Sequence, residues 1–344
     1  MVTPSTESRL AEGQVVERYT VVERIGRGGV ARVYKVRHNT LGSLHALKVL
    51  RKQSDQMNHR LVLEGKVQAA LRHPNVVAVT DVIEVEGNPG LVMDYIEGPS
   101  LDKWLAANRP DLAQAEAIFR GIVAGVGKAH RLGLVHRDLK PANVLLATDE
   151  DGTLVPKVAD FGLAKILAGD DDEEGGHAHT QSGTTMGTPA YMAPEQVRDS
   201  KSVDQRADIF ALGCILYELV TGVSPFYHPD LFAIFSALAS GTYTPPQALV
   251  PSLPPRVLNA IAGCLTVHRE ARIHSCGVLQ RVLDGEIAED WANATLTGEE
   301  PRHSLVPPGS TGTASSPGAS PSSITGGSTG RWWLFGGLGV VGVG

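Results

Sequence analysis

Four side chains near the middle of the chain have the types and spacing needed to move a phosphoryl group. The octapeptide HRDLKPAN occupies 136–143, DFG follows at 160–162 and APE at 193–195. Asp138 is a carboxylate that can orient and deprotonate a hydroxyl, and Lys140 is an ammonium that can neutralise the group in transit. Asn143 and Asp160 offer the amide and carboxylate oxygens that hard divalent cations such as Mg²⁺ take, with Mn²⁺ as a substitute. Each tripeptide alone reads as an ordinary turn. Their order and spacing together place a nucleotide and its metal ions among the four side chains.

Such a site needs a phosphate cradle and a second cation. Upstream lies IGRGGVARV at 25–33, between segments rich in Val, Ile and Tyr that read as strands. Gly26, Gly28 and Gly29 would let backbone N–H groups approach phosphate with no Cβ in the way. A lone glycine-rich turn reads better as a hairpin. Here ALKVL follows at 46–50, and its apolar flanks place Lys48 on a strand with little solvent, where an unpaired ammonium is costly. A partner is therefore expected. The segment from Asn58 to Leu71 has Leu63, Val67, Ala70 and Leu71 at helical spacing, predicting a helix with one apolar face and Glu64 beside it.

Taken together, these motifs resemble the protein kinase family, and the Gly28-Gly29 pair is similar to the bacterial, Hanks-type serine/threonine members. Ala31 stands where many relatives carry the last glycine of the loop. The resemblance covers roughly 17–287 and implies an α+β fold of two lobes: a strand-rich N-lobe with one helix, and a mainly helical C-lobe. It also implies ATP and Mg²⁺ as cofactors and protein Ser/Thr hydroxyls as acceptors. Asp138 and Lys140 become catalytic, Lys48 the ligand of the α- and β-phosphates, Glu64 its ion-pair partner, and Asn143 and Asp160 the metal ligands. Ile25, Gly26, Arg27, Gly28, Gly29 and Val33 of the glycine-rich hairpin, with Ala46, would enclose the nucleotide. In GLVMDYIEG (90–98), Met93 becomes the gatekeeper, and the backbone of Asp94 and Ile96 would face adenine. His136 and Arg137 support the loop, Glu195 pairs with Arg272, and Asp208 accepts hydrogen bonds from the loop backbone while also capping its own helix. A scaffold that binds ATP without catalysis would require loss of Lys48, Asp138 or Asp160, and none is lost. A small-molecule kinase of related fold is disfavoured by APE and GTPAY, which resemble a peptide-substrate platform.

Between Asp160 and Glu195 runs an acidic stretch, DDDEE at 170–174, and then HAHTQSGTTMGTPAYMAPE. His177 and His179 lack a third ligand at metal-binding spacing and read as loop residues. Thr180 and Ser182 stand where related bacterial kinases carry activating phosphates, and Arg137 would meet such a phosphate. Thr184 and Thr185 are the fallbacks. Lys140 and the Gly187-Thr188 dipeptide are similar to Ser/Thr rather than Tyr kinases, with Thr188 bridging Asp138 and Lys140.

The elements that must hold these groups are also readable. Residues 1–16 read as a flexible leader, 17–97 as the N-lobe and 98–287 as the C-lobe. Ala115, Ile118, Phe119, Ile122 and Val126 predict a helix that Gly133 ends before the catalytic loop. A second, buried helix is expected from Ala207 to Leu219, stopped by Gly222 and Pro225. Three cysteines in apolar contexts, Cys214, Cys264 and Cys276, read as free core thiols in a reducing cytosol. A net charge of −6 and pI near 6.1 give no footprint for nucleic acid. No signal peptide is apparent in the polar N-terminus. Residues 288–330 read as a disordered Ser/Pro/Gly/Thr-rich linker. The tail, RWWLFGGLGVVGVG at 331–344, joins an arginine and two tryptophans to an apolar run shorter than the ~20 residues that span a bilayer. It reads as the start of a truncated transmembrane segment, tethering a cytoplasmic kinase domain to the inner membrane, where neighbouring copies could phosphorylate one another.

Overall fold

A computed structural model describes residues 9–27, 31–50, 55–161, 189–199, 203–287 and 291–292. Its N-terminal part is a six-stranded antiparallel sheet: β1 (Val15–Val16), β2 (Tyr19–Arg27), β3 (Ala31–His38), β4 (Leu44–Leu50), β5 (Val79–Val85) and β6 (Asn88–Asp94), in the order β1-β2-β3-β4-β6-β5. Strands rich in Val, Leu and Tyr turn alternate residues inward. Val21, Tyr34, Val36, Leu47 and Val92 are buried in one cluster. That cluster also takes in Leu10 and Val16, and Gly13 and Gln14 exchange backbone hydrogen bonds with Val21. The packed lobe thus begins inside the segment read as a flexible leader, because Leu10 has apolar area to bury that a polar leader would not.

One helix, α1 (Asp55–Ala69), lies against β5 and β6, but on a different face from the one expected. Leu63 and Val67 are 48% and 43% exposed; of the expected face Leu71 is buried, and within the helix the buried leucine is Leu61, which is not on that face. The inward stripe runs through Leu61, Gly65 and Gln68. A Cβ on Gly65 would sit 2.8 Å from Leu91 Cδ2, so the glycine lets the helix approach the sheet closely. Counting large apolar residues alone selects the wrong face, since the contact is made by the smallest one.

The C-terminal part is helical: α2 (Leu101–Ala107), α3 (Leu112–Arg131), α4 (Pro194–Arg198), α5 (Arg206–Thr221), α6 (Leu231–Ser240), α7 (Pro246–Leu249), α8 (Pro255–Leu265) and α9 (Cys276–Leu283). Between α3 and α4 lies the two-stranded ladder β7 (Val144–Thr148) and β8 (Leu154–Val158), after a 3₁₀ turn at Pro141–Asn143. α3 is capped by Asp111, whose side chain accepts from Gln114 N, and its end is turned by Gly133 at φ +75°. α5 is buried on nearly all sides, with Ile209, Phe210, Leu212, Ile215 and Leu216 in the core, which makes it the axis of the C-lobe core. Cys214, Cys264 and Cys276 are free and buried.

Core packing continues past the point where the linker was expected to start. Trp291 is 4% exposed, its indole N–H donates to the Ala271 carbonyl at 3.3 Å, and Ala292 N donates to Asn259 Oδ1 at 3.2 Å. The ring lies over Gly263, where a Cβ would approach it to 3.0 Å. Residues 291–292 are therefore part of the folded C-lobe. Trp291→Ala should cost about 3 kcal/mol, read as a fall in melting temperature of roughly 6–12 °C. An unchanged melting temperature would show that the indole adds nothing. Among the described residues no helix is long and apolar enough to cross a membrane, and 331–344 lie outside them.

Candidate active site

The catalytic loop sits between α3 and β7 and is held from below by one buried carboxylate. Asp208, in the first turn of α5 and 1% exposed, accepts from His136 N at 2.8 Å (Oδ2) and from Arg137 N at 2.9 Å (Oδ1). It does not cap the helix as expected. The cap position is Gln205, which makes no side-chain cap bond, and the Asp208 oxygens are turned to the loop instead. Arg137 is thereby kept in the left-handed region at φ +66°, a conformation that costs about 1–3 kcal/mol unless its surroundings enforce it. Gln196 of α4 adds a second restraint by donating to the Arg137 carbonyl at 2.8 Å.

Beyond Arg137, the polar groups converge. Lys140 Nζ lies 2.9 and 2.8 Å from the two oxygens of Asp138. Asn143 Nδ2 donates to the Asp138 carbonyl at 2.7 Å and to its Oδ2 at 3.1 Å. His136 is fully buried. Its Nε2 donates to the Ala159 carbonyl at 2.8 Å, and its Nδ1 accepts from Asp138 N at 3.3 Å. Because Ala159 N also donates to the Asn143 carbonyl, the backbone before Asp160 is tied to the loop that carries Asp138. Phe161 is buried against the His136 ring at 4.8 Å, and its carbonyl accepts from Gln68 of α1.

From the other lobe, β4 carries Lys48 between Val33 of β3 and Leu91 of β6. The lysine is 7% exposed, as its apolar flanks suggested, and its Nζ lies 2.7 Å from Asp160 Oδ1. Burial pushes the Asp160 carboxyl up, but the adjacent Lys48 ammonium, with His136 and Lys140 adding to it, holds the carboxyl below its ordinary range. The ammonium thus meets Asp160. Glu64 belongs to α1 on the same turn as Gly65, and its side chain lies outside the described residues, as do the Arg27 side chain, Gly28, Gly29, His177, His179, Thr180, Ser182, Thr184, Thr185 and Thr188.

Around Lys48 the surfaces are apolar. Ala46, Met93 and Leu91 form a cluster on which Val33, Ile96 and Leu145 pack. Leu145, two residues beyond Asn143, has no motif to mark it, yet alternation in β7 turns it toward this cluster. Ile25 is exposed, and Gly26 pairs with Val33 across a bulge in β2. Asp94 N donates to the Ala78 carbonyl at 3.0 Å. Farther out, Arg272 is 2% exposed and forms a bidentate pair with Glu195 at 2.6 and 2.9 Å, while donating to the carbonyls of Arg206, Thr266 and Val267.

Residues 19–283 match the protein kinase domain family. Serine/threonine-protein kinase PknL of Mycobacterium tuberculosis is 32% identical over 308 residues, covering 88% of this chain and 74% of that protein. Probable serine/threonine-protein kinase PknB of Lactococcus lactis is 41% identical over 224 residues, 63% of this chain but only 34% of its own length. The chain therefore spans about a third of that relative. The crystal structure of the Mycobacterium tuberculosis PknI kinase domain is similar at 27% identity and a TM-score of 0.61, covering 81% of this chain and 100% of that one. The sheet-bearing lobe, the helical lobe and the residues gathered between them thus belong together in one family: residues 19–283 form a serine/threonine protein kinase domain, and the chain is a member of the protein kinase family.

Proposed function

We propose that the protein transfers the γ-phosphoryl group of MgATP to Ser and Thr hydroxyls of other proteins, with Asp138 accepting the hydroxyl proton. The observation that carries this reading is the knot of Asp138, Lys140 and Asn143. Lys140 and Asn143 fix the carboxylate, so it presents one orientation to an incoming hydroxyl. Lys140 also places positive charge where the phosphoryl group passes. The cation ligands fit Mg²⁺: Asn143 spends its amide N–H groups on Asp138, which turns its carbonyl oxygen outward, and Asp160 has an oxygen outside its pair with Lys48. Bound MgATP supplies the phosphoryl group and the metal charge that draws electrons from it. Lys48 would hold the α- and β-phosphate oxygens, with Glu64 as its second anchor. Val33, Ala46, Met93, Ile96 and Leu145 offer the apolar surfaces a purine ring requires, and the Asp94 carbonyl and Ile96 backbone would recognise its edge. Phosphosite mapping of the protein after incubation with MgATP tests the reading, and an unmodified protein would oppose it.

Thr180 and Ser182 are the proposed activating sites. A phosphate there adds about −1.5 to −2 charge near Arg137, whose guanidinium otherwise reaches only the Val203 carbonyl at a long 3.4 Å among the described contacts. Replacing both by Ala should lower the rate on an added protein substrate about tenfold, the scale of one or two lost charge-assisted hydrogen bonds, with ATP affinity kept. Undiminished activity would mean the segment needs no phosphate.

The segment 331–344 is proposed as a membrane attachment that holds the domain at the cytoplasmic face and raises its effective concentration for phosphorylation between copies. The support is compositional: Arg331 and the two tryptophans ahead of an uncharged apolar run. In liposome flotation, 1–344 should rise with the vesicles and 1–303 should not. Equal behaviour of both chains would remove the tether.

A further inference from the structure

We infer that His130 is a positioning residue for phosphoryl transfer, acting through Asp208 to hold the backbone of residues 136–138. It lies in the last turn of α3, outside the motifs that mark the site, and its side chain is 6% exposed. Its Nε2 lies 2.7 Å from Asp208 Oδ2, the same oxygen that accepts His136 N at 2.8 Å, while Oδ1 takes Arg137 N at 2.9 Å. One buried carboxylate therefore receives three N–H groups: two from the loop it positions and one from His130. The loop bonds alone do not fix where the carboxylate sits, because loop and carboxylate could shift together. His130 ties that carboxylate to α3, a rigid helix anchored elsewhere.

The other side of the imidazole fixes its orientation. Cys276 Sγ, at the start of α9, lies 3.7 Å from His130 Nδ1. Burial, with the Asp208 charge behind it, pushes the Cys276 thiol up to about 12, so the sulfur keeps its proton and faces Nδ1 as a neutral thiol. Because a carboxylate oxygen can only accept, it is Nε2 that carries the proton shared with Asp208. Cys276 is held close to α3 by Gly127, where a Cβ would lie 3.1 Å from Cys276 Cβ. A chain of contacts thus runs from α9 through His130 and Asp208 to Arg137, the left-handed residue immediately before Asp138. Without the His130 donor, Oδ2 loses one of its two partners, and a buried carboxylate short of donors is free to turn away from the loop.

This inference rests on Asp138 being the proton acceptor, and the experiment separates the two. The autophosphorylation rate of the 1–344 chain is measured across MgATP concentrations for wild type, His130→Ala, His130→Gln and Asp138→Asn. His130→Ala should lower the maximal rate about 10- to 100-fold, the scale of a misplaced catalytic group, with the KM for ATP within about twofold of wild type. His130→Gln, whose amide can donate to Asp208, should recover most of the loss. If His130→Ala does not fold, His130→Leu fills the volume without a donor and takes its place. Wild-type rates in the alanine or leucine variant would overturn the inference, as would an equal loss in His130→Gln, which would assign the effect to packing. An active Asp138→Asn enzyme would instead overturn the underlying role of Asp138.

Discussion

Asp138→Asn should abolish transfer to Ser and Thr while leaving ATP bound. The amide keeps the shape of the carboxylate and can still contact Asn143, but it cannot take a proton, and general-base catalysis is worth about 10²–10⁴-fold. Lys48→Met should also silence the enzyme by a different route. Lys48 is buried with its ammonium 2.7 Å from Asp160, so its removal strips the partner from a carboxylate that the cation keeps below its ordinary range. Asp160→Asn should act on the cation, and raised Mg²⁺ should recover part of its rate. No such recovery is expected for Asp138→Asn. Steady-state rates at two Mg²⁺ concentrations, with nucleotide affinity measured alongside, separate the three. Rescue of Asp138→Asn by Mg²⁺ would assign it to the metal rather than the proton.

Arg272→Ala should be the most destabilising single change outside the core. The guanidinium is almost wholly buried, pairs with Glu195 through two hydrogen bonds, lies over the Phe210 ring at 5.1 Å and satisfies three backbone carbonyls. Removing one partner of such a pair leaves Glu195 and those carbonyls without their donor, at a cost of about 3–5 kcal/mol. Chemical denaturation should show the midpoint falling with the slope unchanged. The double variant Arg272→Met with Glu195→Leu, which leaves no charge behind, should recover much of the loss. A loss below about 1 kcal/mol in Arg272→Ala would show that the pair is solvated and contributes like a surface ion pair.

Much of the site was legible because phosphoryl transfer confines its residue types to short contiguous strings. HRDLKPAN puts Asp138, Lys140 and Asn143 within one loop, so the contacts among them follow from chain connectivity. The helices α3 and α5 were legible through apolar spacing, and Asp208 and Arg272 through the resemblance to the kinase family. What was hidden depended on small or solitary residues. The buried face of α1 turns on Gly65, which carries no hydrophobic signal, so Leu63 and Val67 pointed to the wrong side. Leu10 and Trp291 are single apolar residues in polar stretches, and whether such a residue docks depends on a partner surface distant in sequence. The donation from Gln68 to the Phe161 carbonyl and the Lys48 to Asp160 pair join segments far apart in the chain, and nothing local marks either. His130 escaped notice for the same reason.

Purified 1–344 chain incubated with MgATP, digested and mapped by mass spectrometry, with Asp138→Asn in parallel, tests the reading of this domain most directly. Phosphoserine and phosphothreonine, Thr180 or Ser182 among them, should appear in the wild-type protein and be missing from the variant. A wild-type protein that binds ATP yet carries no new phosphate, or a variant modified to the same extent, would contradict it.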